Sequence, residues 1–243
     1  MSTLFHVSDL HFGAEDSAAL AGFAAAVRDR RPDAVIVTGD LTMRARHREF
    51  AAATAWLTAL EVPLSIEAGN HDIPYFNLWA RFVRPYARYD SLERSIEHRI
   101  DLPDVAIVPL KTTARAQVRL NWAQGRVGSR RLDETVTALE TVPAERIRIV
   151  ACHHPLTDRP GGHSEGRTRG GRAALARLAA AGADLVLSGH VHDPFDIMWH
   201  GGPRSVRMVG AGTLSERVRA TPPSYNCIEI VGEDVDVRAV ALG

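Results

Sequence analysis

The sequence predicts an α/β protein in which helices cover one sheet and a second sheet packs on the first. Two observations predict this class. Short apolar runs of strand length alternate with helical patterns over most of the chain, and four further strand-like runs joined by short turns fill the last part. The alternation is typical of a sheet with helices on its faces. The final runs indicate an additional, mostly antiparallel sheet.

Each element follows from the local pattern of apolar residues. The strand-like runs of the alternating part cover residues 4–8, 33–39, 62–69, 104–110, 146–152 and 184–189. Apolar residues at helical spacing predict helices over residues 16–31, 48–60, 129–142 and 171–182. The final strand-like runs cover residues 194–200, 204–212, 224–232 and 235–242. We expect one domain, residues 1–243, in which residues 75–101 form a candidate cap segment over a site.

Composition excludes several classes of protein. With 243 residues and 45% hydrophobic composition, the chain is long enough for a substantial core. Lys+Arg and Asp+Glu balance at 29 each, so we expect no stable nucleic acid partner. Cys152 and Cys227 form no CxxC pair, which argues against a thiolate metal site. The N-terminus has no secretory pattern, and no apolar run reaches the roughly 20 residues of a membrane span, so a cytoplasmic location is expected.

Polar side chains follow the strand-like runs at the points where they end. In open α/β sheets, ligands bind outside the carboxyl ends of the strands, so these side chains are candidates for one site. A spacing of two residues places two side chains on one face while the backbone is extended. The candidates, which include six of the eleven histidines, are Asp9, His11, Asp40, Asn70, His71, Asp72, His153, His154, His190 and His192.

The chemistry of this set is that of a metal centre. It contains carboxylates, imidazoles and one amide but no thiolate, and such ligands suit Mn, Fe, Zn or Co. The candidates exceed the needs of one ion, and they suit two ions about 3.5–4 Å apart that share a carboxylate. The spacing of the residues does not decide between His153 and His154.

The motifs "DLH" (9–11), "GD" (39–40), "GNHD" (69–72), His153 and "GHVH" (189–192), in this order, resemble the five motifs of the calcineurin-like metallophosphoesterases. The resemblance runs from residue 9 to residue 192. It implies a four-layer α/β/β/α sandwich of two packed mixed sheets flanked by helices. It also implies a hydrolase that depends on two metal ions, with Mn or Fe expected and Zn or Co as alternatives.

The resemblance assigns a role to each motif residue. It implies that Asp40 bridges two ions, that His71 is the catalytic histidine, and that Asp72 orients His71. It also implies one set of ligands for each ion: Asp9, His11 and His192 for the first, and Asn70, His153 and His190 for the second. Many members read G-D-x-x-D where this chain has Met43. That difference bears on hydrogen bonding behind the ligands or on subfamily membership, not on metal binding.

Within the family, the chain is most similar to the bacterial cyclic-nucleotide phosphodiesterase-like branch, by its length, by "SDLHFG", "GDLT", "GNHD" and "HHP", and by residues 211–230. This resemblance implies that a hydroxide bridging the two metal ions hydrolyses a small-molecule phosphodiester, with a 3′,5′-cyclic nucleotide as a candidate. A homodimer is also a candidate, since several members form one. Candidate substrate contacts, for which plain solvent exposure is the competing explanation, are Arg44, Arg46, Tyr75, Asn77, His163 and Arg167.

Four alternatives stay open. A phosphomonoesterase would use the same ligands. A UDP-sugar lipid pyrophosphatase would need an apolar cap, which residues 75–101 supply only in part because they carry many charges. A DNA nuclease usually has added capping domains and a basic surface, and this short, neutral chain argues against it. A non-catalytic scaffold would typically have lost ligands, whereas every expected ligand is present.

Overall fold

The computed structural model describes residues 1–74, 77–96, 100–114, 123–157 and 168–242. The strands are β1 (Ser2–Val7), β2 (Ala34–Val37), β3 (Leu64–Ile66), β4 (Val105–Pro109), β5 (Ile147–Ala151), β6 (Leu185–Ser188), β7 (Phe195–Trp199), β8 (Val206–Gly210), β9 (Ser224–Val231) and β10 (Asp234–Ala241). The α-helices are α1 (Ser17–Arg30), α2 (His47–Thr58), α3 (Leu78–Val83), α4 (Ala87–Ile96), α5 (Ser129–Glu140) and α6 (Gly171–Ala180). Asn70–Asp72 forms a single 3₁₀ turn.

The strands form two mixed sheets of five strands each. The first has the order β10-β9-β1-β2-β3, in which β1, β2 and β3 are parallel and β9 and β10 are antiparallel to their neighbours. The second has the order β4-β5-β6-β8-β7, in which only the β7–β8 pairing is antiparallel. The last four strands therefore do not build a sheet of their own, as the sequence pattern suggested. They divide between the two sheets as edge or near-edge strands.

The two sheets pack face to face between two layers of helices. Alternation along β1 shows this arrangement: Leu4 lies in the core between the sheets, whereas Phe5 packs against the helical side. The core between the sheets is lined by aliphatic residues of both, such as Ile36 and Ile149. Helices α1, α2 and α4 cover the first sheet, and α5 and α6 cover the second. The predicted four-layer α/β/β/α sandwich is confirmed.

The candidate cap segment has two different parts. Helix α4 buries Tyr89, Leu92 and Ile96 in the core beside α2, and the Tyr89 hydroxyl donates to Ile66 O at 2.5 Å, so α4 belongs to the helical layer. The short helix α3, in contrast, exposes four large apolar side chains: Leu78, Trp79, Phe82 and Val83. Among the described residues, no helix has the length and apolar character that crossing a membrane requires.

The carboxyl ends of the parallel strands in both sheets meet at one edge of the sandwich. Backbone hydrogen bonds tie the loops there to one another: Asp9 N donates to Gly39 O at 3.0 Å, and Gly189 N donates to His153 O at 2.9 Å. This edge gathers the polar residues that the sequence marks as a site.

Candidate metal centre

The loops of the site have an unusual backbone. Five of the predicted ligands adopt the left-handed conformation, with φ of 56° at Asp9, 46° at His11, 53° at Asp40, 71° at His190 and 63° at His192. The backbone is therefore not extended through the pairs Asp9/His11 and His190/His192, and their side chains converge through tight turns. Non-glycine residues adopt positive φ infrequently, and such strained positions concentrate at functional sites.

Three glycines allow the loops to approach this closely. A Cβ atom at Gly69 would overlap the Asp40 carboxylate, and one at Gly189 would overlap the Ser8 hydroxyl. Gly39, with φ of 93°, supplies the turn directly before Asp40. These positions require glycine because the ligand loops pack directly against their backbone.

The first cluster of ligand atoms contains Asp9, His11 and His192. Their ligand atoms all lie within 4.8 Å of one another, and all three side chains are buried. His192 Nε2 lies 3.1 Å from Asp9 Oδ1 and 3.3 Å from His11 Nε2. The other nitrogen of His192, Nδ1, donates to Arg217 O at 2.7 Å, which fixes the ring and directs Nε2 into the cluster.

The second cluster forms around His153. Its Nδ1 donates to Thr38 O at 2.7 Å, so its Nε2 points toward Asn70 Oδ1 at 3.1 Å. His190 joins this cluster, with its ligand atom within 4.8 Å of that of His153. Asn70, His153 and His190 are the set that the family resemblance implies for the second ion.

Asp40 lies between the two clusters. Its Oδ2 atom lies 3.5 Å from His153 Nε2 in one cluster and 3.8 Å from His11 Nε2 in the other. Its Oδ1 atom accepts a hydrogen bond of 2.8 Å from the backbone N–H of His71. A buried carboxylate in this position is suited to be shared by two cations.

The structure distinguishes His153 from His154. His154 Nδ1 lies 2.9 Å from Thr112 Oγ1, and its Nε2 donates to Ala123 O at 2.9 Å. Both ring nitrogens thus have protein partners, and burial lowers the pKa of His154 well below its usual value. His154 therefore supports the site structurally, while His153 presents Nε2 to it.

The hydrogen bonds of His71 differ from the expectation. Its Nδ1 lies 2.8 Å from the main-chain oxygen of Met43, not from Asp72. The Asp72 carboxylate instead accepts backbone hydrogen bonds from Leu41 and Thr42 at 3.1 and 2.9 Å and from Gly69 at 2.9 Å. The idea that Asp72 orients the imidazole directly is thus corrected, because Asp72 anchors the two motif loops to each other.

The electrostatics of the site favour a cation. Burial opposes ionisation of Asp9 and Asp40, but the surrounding imidazoles outweigh it and lower the pKa of both carboxyls well below the usual range. Burial also opposes a charge on His153, yet Asp40 and Asp9 raise its pKa to about 9. Asp9 Oδ1 is buried, and its nearest charged or titratable neighbours are His192 Nε2 at 3.1 Å and His11 Nε2 at 3.6 Å. Two buried carboxylates surrounded by imidazoles fit a metal ion.

The predicted substrate contacts divide into three groups. Arg44 and Arg46 are exposed beside the site loop, and Arg46 lies 3.8 Å from Glu49 in a contact that stabilises the start of α2. Asn77 caps α3 by accepting from Ala80 N at 2.9 Å, which gives it a structural role. The remaining three, Tyr75, His163 and Arg167, lie outside the described residues.

The sequence interpretation missed one residue of the centre. The side chain of Arg217 reaches the site from the loop between β8 and β9, and its Nη1 lies 3.1 Å from His71 Nε2. Arg217 follows no strand-end motif, and its sequence neighbours give no metal-site pattern. The only signal was its position within residues 211–230, a stretch already noted for its resemblance to the phosphodiesterase-like branch.

Comparison with known proteins connects this geometry to a family. The sequence profile of the calcineurin-like phosphoesterase family matches residues 2–194. A stretch of 80 residues is 38% identical to the glycerophosphodiester phosphodiesterase GpdQ of Enterobacter lignolyticus (strain SCF1). That similarity covers 28% of this chain and 29% of the length of that enzyme.

Solved structures share the fold over most or all of the chain. A dimetal phosphatase from Danio rerio superposes with a TM-score of 0.66 at 12% identity, covering 100% of this chain and 99% of the other. The phosphopantetheinyl hydrolase of Mycobacterium tuberculosis superposes with a TM-score of 0.56 at 19% identity, covering 87% and 89%. At these identities the likeness establishes the common architecture.

Proposed function

The chain belongs to the calcineurin-like phosphoesterase family, and from this premise we propose that it is a phosphodiesterase that hydrolyses a small-molecule phosphodiester with two metal ions. The single observation that carries the proposal is the position of Asp40, whose carboxylate lies between the two clusters of candidate ligand atoms. One shared carboxylate between two sets of imidazoles and carboxylates is an arrangement suited to a pair of cations.

In this proposal, each cluster holds one ion. Asp9, His11 and His192 bind the first, and the second set is Asn70, His153 and His190, with Asp40 shared. The ions, when bound, lower the pKa of a water molecule so that a nucleophile exists near neutral pH, and they offset charge on the phosphoryl oxygens. The ligand types admit Mn, Fe, Zn or Co, with Mn or Fe the first choices to test.

His71 acts on the leaving group. Because a carbonyl oxygen only accepts, the contact with Met43 O places a proton on Nδ1 and leaves Nε2 facing the centre. In this structure Nε2 accepts from Arg217 Nη1 at 3.1 Å, so it would have to take up a proton before acting as an acid. Transfer of that proton to the oxygen that departs from phosphorus would prevent an unstable alkoxide from forming. Asp72 holds the loop that carries His71 through its backbone hydrogen bonds.

Two observations favour a diester over a monoester as the substrate. The GpdQ-like stretch is similar to an enzyme named for a phosphodiester substrate. The sequences of the site motifs and of residues 211–230 resemble those of the cyclic-nucleotide phosphodiesterase-like branch. This resemblance makes a 3′,5′-cyclic nucleotide a candidate within the diester class.

A second substrate class is an amphiphilic phosphodiester or pyrophosphate. It is favoured by α3, which begins six residues after Asp72 and exposes Leu78, Trp79, Phe82 and Val83. These side chains would cover an acyl chain or another apolar group attached to the phosphate. An increase of kcat/KM on adding an acyl chain to the substrate, lost in a Trp79→Ser variant, would establish this class.

The test of the proposal compares bis-p-nitrophenyl phosphate with p-nitrophenyl phosphate, using protein loaded with Mn²⁺ and an Asp40→Asn control. We expect turnover of the diester well above that of the monoester, and its loss in the control. A strong preference for the monoester would assign a phosphatase instead. If two metals are bound per chain and a panel of diesters, including cyclic nucleotides and acylated esters, is not hydrolysed, the phosphodiesterase proposal is wrong.

A further inference from the structure

The loop between β8 and β9 places a guanidinium group at the metal centre. Arg217 Nη1 lies 3.1 Å from His71 Nε2 and 3.3 Å from His11 Nε2. We propose that Arg217 binds the phosphoryl oxygens of the substrate, an inference that rests on the proposed function. The side chain is half-buried, so it is anchored at the edge of the site and is still reachable from solvent.

The loop that carries Arg217 is held in place at both ends. On one side, the Thr213 hydroxyl donates to Asp9 O at 2.7 Å, which ties the loop to a predicted ligand. On the other side, Asp193 Oδ1 accepts from the backbone N–H groups of Ala220 and Thr221 at 3.1 and 3.2 Å. A donor held in position before the substrate arrives requires little reorganisation on binding, which is the condition for strong electrostatic stabilisation.

The backbone of Arg217 is also hydrogen-bonded to a predicted metal ligand. Its carbonyl oxygen accepts from His192 Nδ1 at 2.7 Å, and its N–H donates to Ser215 Oγ at 3.3 Å. The main chain of Arg217 thus helps to orient a predicted metal ligand, while the side chain extends over the centre. This arrangement fixes the guanidinium relative to the first cluster.

The contacts of the side chain indicate an anion as its partner. Arginine has five N–H donors and no acceptor, and it recognises phosphate in a two-pronged geometry. Within the described part of the chain, both hydrogen bonds of this guanidinium use Nη1 and both reach imidazole nitrogens. Asp9 and Asp40 instead form their ion pairs with histidines there. A phosphoryl group has negatively charged oxygens that could accept from the guanidinium, whereas its present partners are imidazole nitrogens.

The two non-bridging oxygens of a phosphodiester match this donor set. A diester carries one negative charge spread over those oxygens, and a guanidinium can reach both while the two ester oxygens point away. Lysine offers only a compact charge, so it should replace Arg217 in part but not fully. The comparison of Arg217→Lys with the wild type therefore separates the effect of the planar guanidinium geometry from that of positive charge alone.

The experiment measures binding of inorganic phosphate by isothermal titration calorimetry to Mn²⁺-loaded protein from which excess metal has been removed. We expect Arg217→Gln to weaken binding by about 10- to 100-fold, the value of a charge-assisted hydrogen bond, and Arg217→Lys to fall between that variant and the wild type. Arg28→Gln, which removes an exposed arginine from α1, should bind phosphate as the wild type does. Metal content, measured for every variant, should stay at the wild-type value.

Equal phosphate affinity in Arg217→Gln and the wild type would overturn the inference, as would loss of metal in both Arg217 variants, because it would show that the residue acts on His192. If Arg217→Gln shows no cooperative thermal transition and is therefore not folded, the phosphate affinity of Arg217→Lys is compared with that of the wild type instead. If the wild-type protein hydrolyses no ester but Arg217→Gln still binds phosphate more weakly than the wild type, the proposed function is refuted and the anion site is retained.

Discussion

The Nδ1 atom of His71 lies 2.8 Å from the main-chain oxygen of Met43. Position 43 is where many proteins of this family have a second carboxylate after the G-D pair. Here the main chain at that position accepts the hydrogen bond from the ring, and a main-chain acceptor does not depend on the side chain of residue 43. The missing carboxylate therefore leaves the His71 ring oriented.

This relationship separates the effects of two substitutions. His71→Ala should lower kcat for the diester by about 100-fold or more, because it removes the proton donor to the leaving oxygen. Met43→Ala should keep kcat within a few-fold of the wild type, because the backbone oxygen remains. Steady-state kinetics with a diester whose leaving group is an alkoxide, such as a 3′,5′-cyclic nucleotide, measures both, because p-nitrophenolate is stable without a proton. Inductively coupled plasma mass spectrometry measures the bound metal.

Metal content decides the role of His71 independently of rate. The ligand atoms of His11, Asp40 and His71 also lie within 4.8 Å of one another, so the geometry alone would allow His71 to bind an ion. Retention of both metals in His71→Ala supports a role in proton transfer. A loss of metal equal to that in an Asp40 variant would show that His71 is a ligand.

Replacing Asp40 with asparagine should lower the metal content of the centre. Asn tolerates the left-handed backbone that Asp40 adopts at φ 53°, and its amide oxygen can still accept from His71 N. The substitution thus removes mainly the negative charge between the clusters. We expect metal content to fall from two ions per chain to one or fewer and kcat to fall by at least about 100-fold. Two tightly bound ions with normal kcat would contradict the shared position of Asp40.

Much of the site could be predicted because its residues follow strands in a fixed order. Asp9, Asp40 and His190 each come directly after a buried strand or its glycine, and the topology brings those ends together. Arg217 could not be predicted in this way, since its position depends on a loop pinned by contacts distant in sequence, such as Thr213 with Asp9. The hydrogen bond from His71 to the main-chain oxygen of Met43 could not be predicted from the sequence either, because every residue type has a main-chain oxygen.

The division of the last strands was unpredictable for a similar reason. β7 and β9 are both short apolar patterns that follow turns, and nothing in either pattern encodes its pairing partner. β9 pairs with β1, which lies more than 200 residues earlier in the chain, whereas β7 pairs with its neighbour β8. Strand pairing over such distances is decided by packing between the layers, which local periodicity does not report.

Gly69→Ala should disrupt the metal centre through the backbone alone. The added methyl group would overlap the Asp40 carboxylate and its N–H, so either the loop or Asp40 must move. We expect a loss of about 1–3 kcal/mol in the free energy of unfolding together with reduced metal content. Gly128→Ala is the matched control, because a Cβ at Gly128 has nothing within 4 Å. The control should cost about 1 kcal/mol or less and keep its metal; normal metal content in Gly69→Ala would contradict the prediction.

His6 provides a test of stability against pH that is separate from catalysis. The side chain is buried between the sheets, where its Nε2 lies 2.9 Å from Thr38 Oγ1 and its Nδ1 lies 3.2 Å from Asn226 Nδ2. Asn226 Nδ2 also donates to Gly210 O at 3.0 Å, which fixes the amide so that its N–H₂ faces His6. A proton on His6 Nδ1 would therefore meet another donor, and burial lowers the pKa of His6 to about 3 despite the nearby Asp9 carboxylate.

The pH dependence of unfolding follows from this depressed pKa. Above pH 6.5, the usual histidine value, His6 is neutral in both the folded and the unfolded chain and adds no pH dependence. Between pH 6.5 and about 3, the unfolded chain binds a proton that the folded chain does not, so stability falls as the pH falls, by about 1.4 kcal/mol per pH unit.

Urea unfolding at pH 7.5 and 5.0 measures this effect. The drop in the free energy of unfolding between the two pH values should be about 2 kcal/mol smaller in His6→Gln than in the wild type. His47→Gln, which removes an exposed histidine at the start of α2, should retain the wild-type drop. Equal drops in the wild type and His6→Gln would mean that His6 binds its proton in the folded protein, and the hydrogen-bond assignment to Asn226 would then be wrong.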